Sequence, residues 1–213
     1  MPSANNLNHL HPWDSKTGAC NVIIETVKGE RNKFKYEPET GTFMLCKVLP
    51  CGAVFPYDFG FIPSTVGDDG DPLDVLVLMD APCFPGCRIQ CRLIGVLEAK
   101  QTEDGWTERN DRILAIAEHC HDHKDIHSVK DLNKHFLKEV EHFFVSYNEM
   151  AGKEFVPLSW HGPNRAKKLV QKGIQKAEQE GTPTGSAARA ARNGQRQPQE
   201  ADRAGARRDA TRQ

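Results

Sequence analysis

An unbroken apolar run entered through a crowded acidic bend constrains this chain more than any other feature. Residues 66–78 read Val-Gly-Asp-Asp-Gly-Asp-Pro-Leu-Asp-Val-Leu-Val-Leu, so Asp68, Asp69, Asp71 and Asp74 fall within seven residues. The apolar run is of strand type and wants burial, whereas unpaired carboxylates resist it, so the bend belongs at the mouth of a buried strand. Gly70 permits a turn with positive φ, and Pro72 fixes φ near about −65°, which makes the bend sharp and stiff. Two carboxylates held about 4 Å apart repel by roughly 4 kcal/mol at an effective dielectric of 20. A cation relieves that repulsion. Oxygen donors with no Cys or His beside them suit Mg²⁺, Mn²⁺ or Ca²⁺. The glycine and glutamate positions of a calcium-binding EF-hand are not met. An acidic surface turn is the plainer alternative, and the strand that follows argues against it.

From residue 182 to 213 there is no Val, Ile, Leu, Met or aromatic residue. Such a segment cannot bury enough apolar surface to offset its ordering entropy, so it is expected to be a disordered tail. It carries seven Arg against three acids. With the whole chain at −1 and this tail at +4, residues 1–181 stand at −5. That balance does not favour nucleic acid as a partner of the domain. The expected organisation is a flexible segment over 1–19, one domain over 20–181, and the tail over 182–213. No apolar run reaches membrane-spanning length, and the first 19 residues lack a secretory core. Seven cysteines without disulfide-framework spacing point to a reducing cytoplasm.

Residues 20–27, 34–37, 43–49, 73–79, 88–97 and 112–117 read as short strands separated by Gly, Pro or acidic turns. Ser128 and Asp131 resemble a capping box ahead of an amphipathic helix through Val129, Leu132, Phe136, Val140, Phe143 and Tyr147. Gly162-Pro163-Asn164 opens a second helix through Ala166, Leu169, Val170 and Ala177. Strands followed by two helices make an α+β fold, the strands curled into a small barrel.

The hexad Asp69-Gly70-Asp71-Pro72-Leu73-Asp74 resembles the signature of the family I soluble inorganic pyrophosphatases. Supporting stretches follow in order: Val22-Ile23-Ile24-Glu25, Arg31-Asn32-Lys33-Phe34, residues 55–63, Pro85-Gly86-Cys87, Gly95-Val96-Leu97 and His142-Phe143-Phe144. The resemblance implies a five-stranded barrel of OB type flanked by two C-terminal helices. It implies hydrolysis of pyrophosphate to two phosphates with Mg²⁺, for which Mn²⁺ can substitute, and a homo-oligomer. It assigns metal binding to Asp69, Asp74 and Asp71, with Asp71 also taking a proton from water and Glu25 as a further catalytic carboxylate. Lys33, Lys47, Arg112 and Tyr147 would hold phosphate oxygens. Glu103, Asp104 and Asp111 would complete the metal set, Asp111 only through a one-residue shift that turns a strand side chain to the other face.

The chain departs from the family at several of these positions. Phe55 and Phe59 stand where tyrosines are usual, Asp58 for Asn, Lys35 for Glu, Lys47 for Arg, Arg112 for Lys, Asn148 for Lys and Asn110 for Asp. Donors to a charged oxygen are worth about 1.5–3 kcal/mol each, so these changes bear on rate and on the number of ions used. Lys35 is expected to stand in for a metal ion or for the missing lysine. Two alternatives stay open: a hydrolase of short polyphosphate, and a catalytically degraded barrel that binds metal or nucleic acid. The histidines of 119–127 are read as a polar loop, and Cys83, Cys87 and Cys91 as core thiols.

Overall fold

The structure is a computed structural model that describes residues 6–180. The first apolar run forms β1 (Cys20–Thr26), paired on both edges and buried along its whole length because Val22 and Ile24 join the main core while Ile23 packs with Tyr36 and Phe61 in a second cluster. A hairpin follows, β2 (Asn32–Glu37) and β3 (Thr42–Val48), which forms a separate two-stranded sheet. Next come β4 (Asp58–Ile62) and β5 (Leu73–Leu78), the latter issuing directly from the acidic bend. The long β6 (Arg88–Glu103) turns into β7 (Trp106–Arg109), and β8 (Arg112–Ala117) ends the main strand series. After helix α1 (Lys134–Glu149) comes β9 (Glu154–His161), then helix α2 (Pro163–Glu180).

The large sheet is mixed. β1 pairs with β4, β4 with β5, β5 in parallel with β8, β8 with β6, and β6 returns to β1. The pairings therefore run round a ring of five strands, with β7 and β9 added along β6. Gly60 is required at one point of this ring. A Cβ there would lie 1.9 Å from the Ile23 carbonyl oxygen of β1, inside any tolerable contact. Ile24, Ile62, Val75, Leu76, Ile94, Leu97, Ile113 and their neighbours form one buried apolar core on the two faces of these strands.

Three strands, β4, β7 and β9, go beyond the sequence reading, for physical reasons. β4 has only five residues between two prolines and carries a glycine, so it reads as a loop. β7 is a four-residue arm of a hairpin. β9 has a proline in its middle, tolerated because Pro157 meets β6 at a register shift on the sheet edge. The first helix also starts later than its pattern suggests. The Ser128–Asp131 capping box does form, but it closes a single 3₁₀ turn over Val129–Asp131. Leu132 then extends, and Asn133 caps α1 by accepting from the His135 amide.

Residues 6–19 were expected outside the domain, yet they pack on it. Leu7 and Leu10 lie on the cluster of Ile23, Tyr36 and Phe61, and Ser64 donates from its hydroxyl to the Asn8 and Leu10 carbonyls. The expected tail over 182–213 lies outside the described residues. Among the described residues no helix is long and apolar enough to cross a membrane. All seven cysteines are free; burial pushes the Cys20 thiol up to about 12 and the Cys91 thiol also well up, whereas Cys83 and Cys87, expected in the core, are only half-buried because they lie in the Pro/Gly turn ahead of β6.

Candidate active site

The acidic bend is held from two sides. Within it, the Gly67 amide donates to the Asp71 carbonyl at 2.7 Å, and the Asp71 amide donates to Oδ1 of Asp69 at 3.1 Å. Gly70 takes φ +81°, as the turn demands. From outside, α2 grips the loop: Lys176 donates to the Gly67 carbonyl at 2.6 Å and Lys172 pairs with Asp68 at 3.0 Å. Asp68 is thus drawn toward the helix. Asp69, Asp71 and Asp74 line a cleft of about 370 Å³.

Opposite them the ring and the hairpin supply positive charge. Lys33 and Lys35 come from β2, Lys47 from β3 and Arg112 from β8, all lining the same cleft. Aromatic rings position several of them. The Lys33 ammonium sits 5.0 Å from the Phe59 ring centroid and 5.5 Å from that of Tyr147, while Lys47 lies 4.6 Å from Tyr147. Phe59, without its hydroxyl, thus still serves the cleft through its face. Arg112 is buried against Phe144 and Phe155 and meets Asp74 at 2.6 Å. It also donates to Asn110, whose amide group in turn donates to Gln101 at 3.0 Å.

Two carboxyls are strongly perturbed. Burial pushes Glu25 up to about 7, against the pull of the Tyr36 amide that it accepts at 2.7 Å. Burial also pushes Asp69 up to about 7, and the neighbouring Asp74 and Asp71 add to the rise. Lys33 is raised as well, which for a base favours the charged form. Burial opposes its charge, but Tyr147, Asp74 and Glu25 outweigh that and hold the ammonium charged. Crowded, desolvated acids facing fixed cations mark a functional cleft rather than a solvated turn.

Of the residues singled out in the sequence, Glu25, Lys33, Lys35, Lys47, Asp69, Asp71, Asp74, Glu103, Arg112 and Tyr147 line this one cleft. Two do not. Asp104, at φ +51°, is exposed at the tip of the β6–β7 hairpin. Asp111 turns to the opposite side from Asn110, where it accepts from the Ala99 amide at 3.0 Å and pairs with Arg109 at 2.8 Å. Asp58 is a buried structural acid that accepts from the Lys28 and Cys83 amides at 2.7 and 3.0 Å. Asn148 is spent on the helix, donating to the Phe144 carbonyl at 2.8 Å. The cleft also gains Gln101, Glu108 and Lys153, which the sequence reading missed. Glu108 shares a strand face with Asn110 by period-two spacing, the one signal available for it.

The donor set fits a hard divalent ion. Its carboxylates are oxygen donors, and a bound cation would relieve both the burial that raises Asp69 and the crowding by Asp74 and Asp71 that adds to it. Among the described residues no three His, Cys, Asp or Glu side chains converge into a closed cage. Instead, Asp71 and Asp74 lean on Lys35 and Arg112. The histidines of 119–123 lie apart from the cleft, in a loop whose Cys120 thiol and His121 and Asp122 amides are tied to the Asp80 carboxylate.

A ring of strands with two helices carries a cleft of facing acids and bases, the mixture of groups that metal-assisted phosphoryl transfer requires. A family profile described as inorganic pyrophosphatase matches residues 22–178, and the chain belongs to that family. It is similar to the inorganic pyrophosphatase of Leifsonia xyli, at 40% identity over 76% of this chain and 98% of that one. The inorganic pyrophosphatase of Nostoc is 37% identical over 77% of this chain and 95% of its own length. The crystal structure of inorganic pyrophosphatase from Thermus thermophilus superposes with a TM-score of 0.74 at 30% identity, covering 81% of this chain and 99% of that one. Pyrophosphatases of this family depend on divalent metal ions.

Proposed function

We propose that this cleft hydrolyses inorganic pyrophosphate to two phosphates, with Mg²⁺ as the working ion and Mn²⁺ as a substitute. The convergence of Asp69, Asp71 and Asp74 with Lys33, Lys47 and Arg112 in one cleft carries this reading, and family membership supports it. Asp69, Asp71 and Asp74 would hold the ions. When bound, these neutralise substrate charge and lower the pKa of water, the chemistry that attack on a polyanion requires.

Lys33, Lys47, Arg112 and Tyr147 hold the phosphate oxygens; Lys33 is steadied over Phe59, Lys47 over Tyr147, and Arg112 against Phe144 and Phe155. Asp71 accepts a proton from the attacking water as the new P–O bond forms. The bridging P–O bond breaks, and its electron pair leaves with the second phosphate. Glu25, held by the Tyr36 amide, is a second buried carboxyl at the same wall. The five paired strands are read as a barrel of OB type, and residues 20–181 as the catalytic domain. Apolar side chains exposed on β3 and β9, such as Val48 and Leu158, support association with further copies. Seven free thiols support a cytoplasmic location.

The test is phosphate release from pyrophosphate with and without Mg²⁺, alongside Asp71→Asn. The substitution is expected to lower kcat by about a hundredfold or more, the usual scale for a positioned base. A variant that keeps the parental rate would remove Asp71 from the chemistry.

A further inference from the structure

The cleft holds its ammonium groups in two different ways. Lys33 and Lys47 rest over aromatic rings. Lys35 and Lys153 instead lie on carboxylates: Nζ of Lys35 is 2.9 Å from Oδ2 of Asp71, and Nζ of Lys153 is 2.7 Å from Oε2 of Glu103. The two pairs occupy different walls, one between β2 and the acidic bend, the other between the α1–β9 turn and β6. Both are partly open to solvent; the side chains of Lys35 and Asp71 are 31% and 34% exposed. Pairs of this kind are weak, worth only about 1.5- to 5-fold in an equilibrium constant. A lysine swings on a flexible four-carbon stem, so leaving such a pair needs no backbone movement.

A carboxylate oxygen occupied by an ammonium group is poorly available to a divalent ion. We propose that Lys35 and Lys153 are exchangeable counter-ions. In the metal-free cleft they neutralise Asp71 and Glu103, and on metal entry they leave those acids and turn to the anionic substrate. Lys153 then supplies the charge that Asn148 cannot, its side chain being committed to the Phe144 carbonyl. This rests on the pyrophosphatase reading and adds a coupling to it: each divalent ion that enters releases a cation for the phosphate.

The coupling predicts effects of opposite sign from one substitution. Calorimetric titration of the full chain with Mn²⁺ alone, then with inorganic phosphate at saturating Mn²⁺, reads both. Lys35→Met and Lys153→Met are each expected to tighten Mn²⁺ by about two- to fivefold. Each is expected to weaken phosphate by about tenfold or more, the loss of one charge-assisted hydrogen bond. Lys35→Arg keeps the cation and is expected to leave Mn²⁺ affinity at or below the parental value. Variants whose Mn²⁺ and phosphate affinities match the parent, while the parent binds Mn²⁺ and hydrolyses pyrophosphate, overturn the exchange alone. Loss of affinity for both probes in a folded Lys35→Met protein also overturns it, because that marks general damage. A parent that binds neither Mn²⁺ nor pyrophosphate overturns the exchange together with the reading beneath it.

Discussion

Single positions differ sharply in how far the sequence reveals them. Asp69, Asp71 and Asp74 are legible because they are neighbours on one stiff bend, and their crowding follows from local geometry. Lys153 and Glu108 are not, because their arrival depends on where a helix-to-strand turn and a hairpin arm come to rest. Asn110 and Asp111 illustrate the cost of a one-residue ambiguity, since strand alternation sends one into the cleft and the other to Arg109. Gly60 gives the clearest residue-scale prediction. Its missing Cβ makes room for the Ile23 carbonyl, and neither backbone can retreat without breaking a ladder of the ring. Gly60→Ala is expected to destabilise the fold by about 3 kcal/mol or more, read from the urea midpoint. An unchanged midpoint would mean that β1 and β4 can separate at no cost.

Among the elements, those with long periodic patterns were legible and those closed by tertiary contact were not. The apolar spacing of α1 and α2 identifies both helices, but only the structure shows that Leu132 interrupts the first and Asn133 restarts it. β9 is invisible to pattern because its burial is uneven and its proline sits at a register shift. The loop after β8 allows a test by pH. The Cys120 thiol, then the Asp122 and His121 amides, hold the Asp80 carboxyl down to about 2. A depressed carboxyl contributes stability that is complete above its unfolded value, about 3.9, and is lost as pH falls through 2. The stability difference between the parent and Asp80→Asn is therefore expected to be flat above about pH 5 and to shrink between about pH 4 and 2. Urea midpoints across that range check it, and a difference that grows toward low pH would contradict the anchor.

At the scale of the whole molecule, the order of strands then helices gave the class of fold, while the ring itself needed pairings that no local pattern encodes. The parallel β5–β8 contact and the return of β6 to β1 join segments far apart in the chain. β6 is the shared member, bonded along its length to β1, β8, β7 and β9. Its partners lie both near the start of the described chain and beyond residue 153. A ribosome making this protein therefore exposes β6 long before its last neighbour exists. Fragments ending near residue 150 are expected to stay sticky and protease-sensitive, and maturation to come in one late step. Pulse proteolysis of stalled nascent chains reads that step directly, and protection appearing before β9 emerges would contradict it.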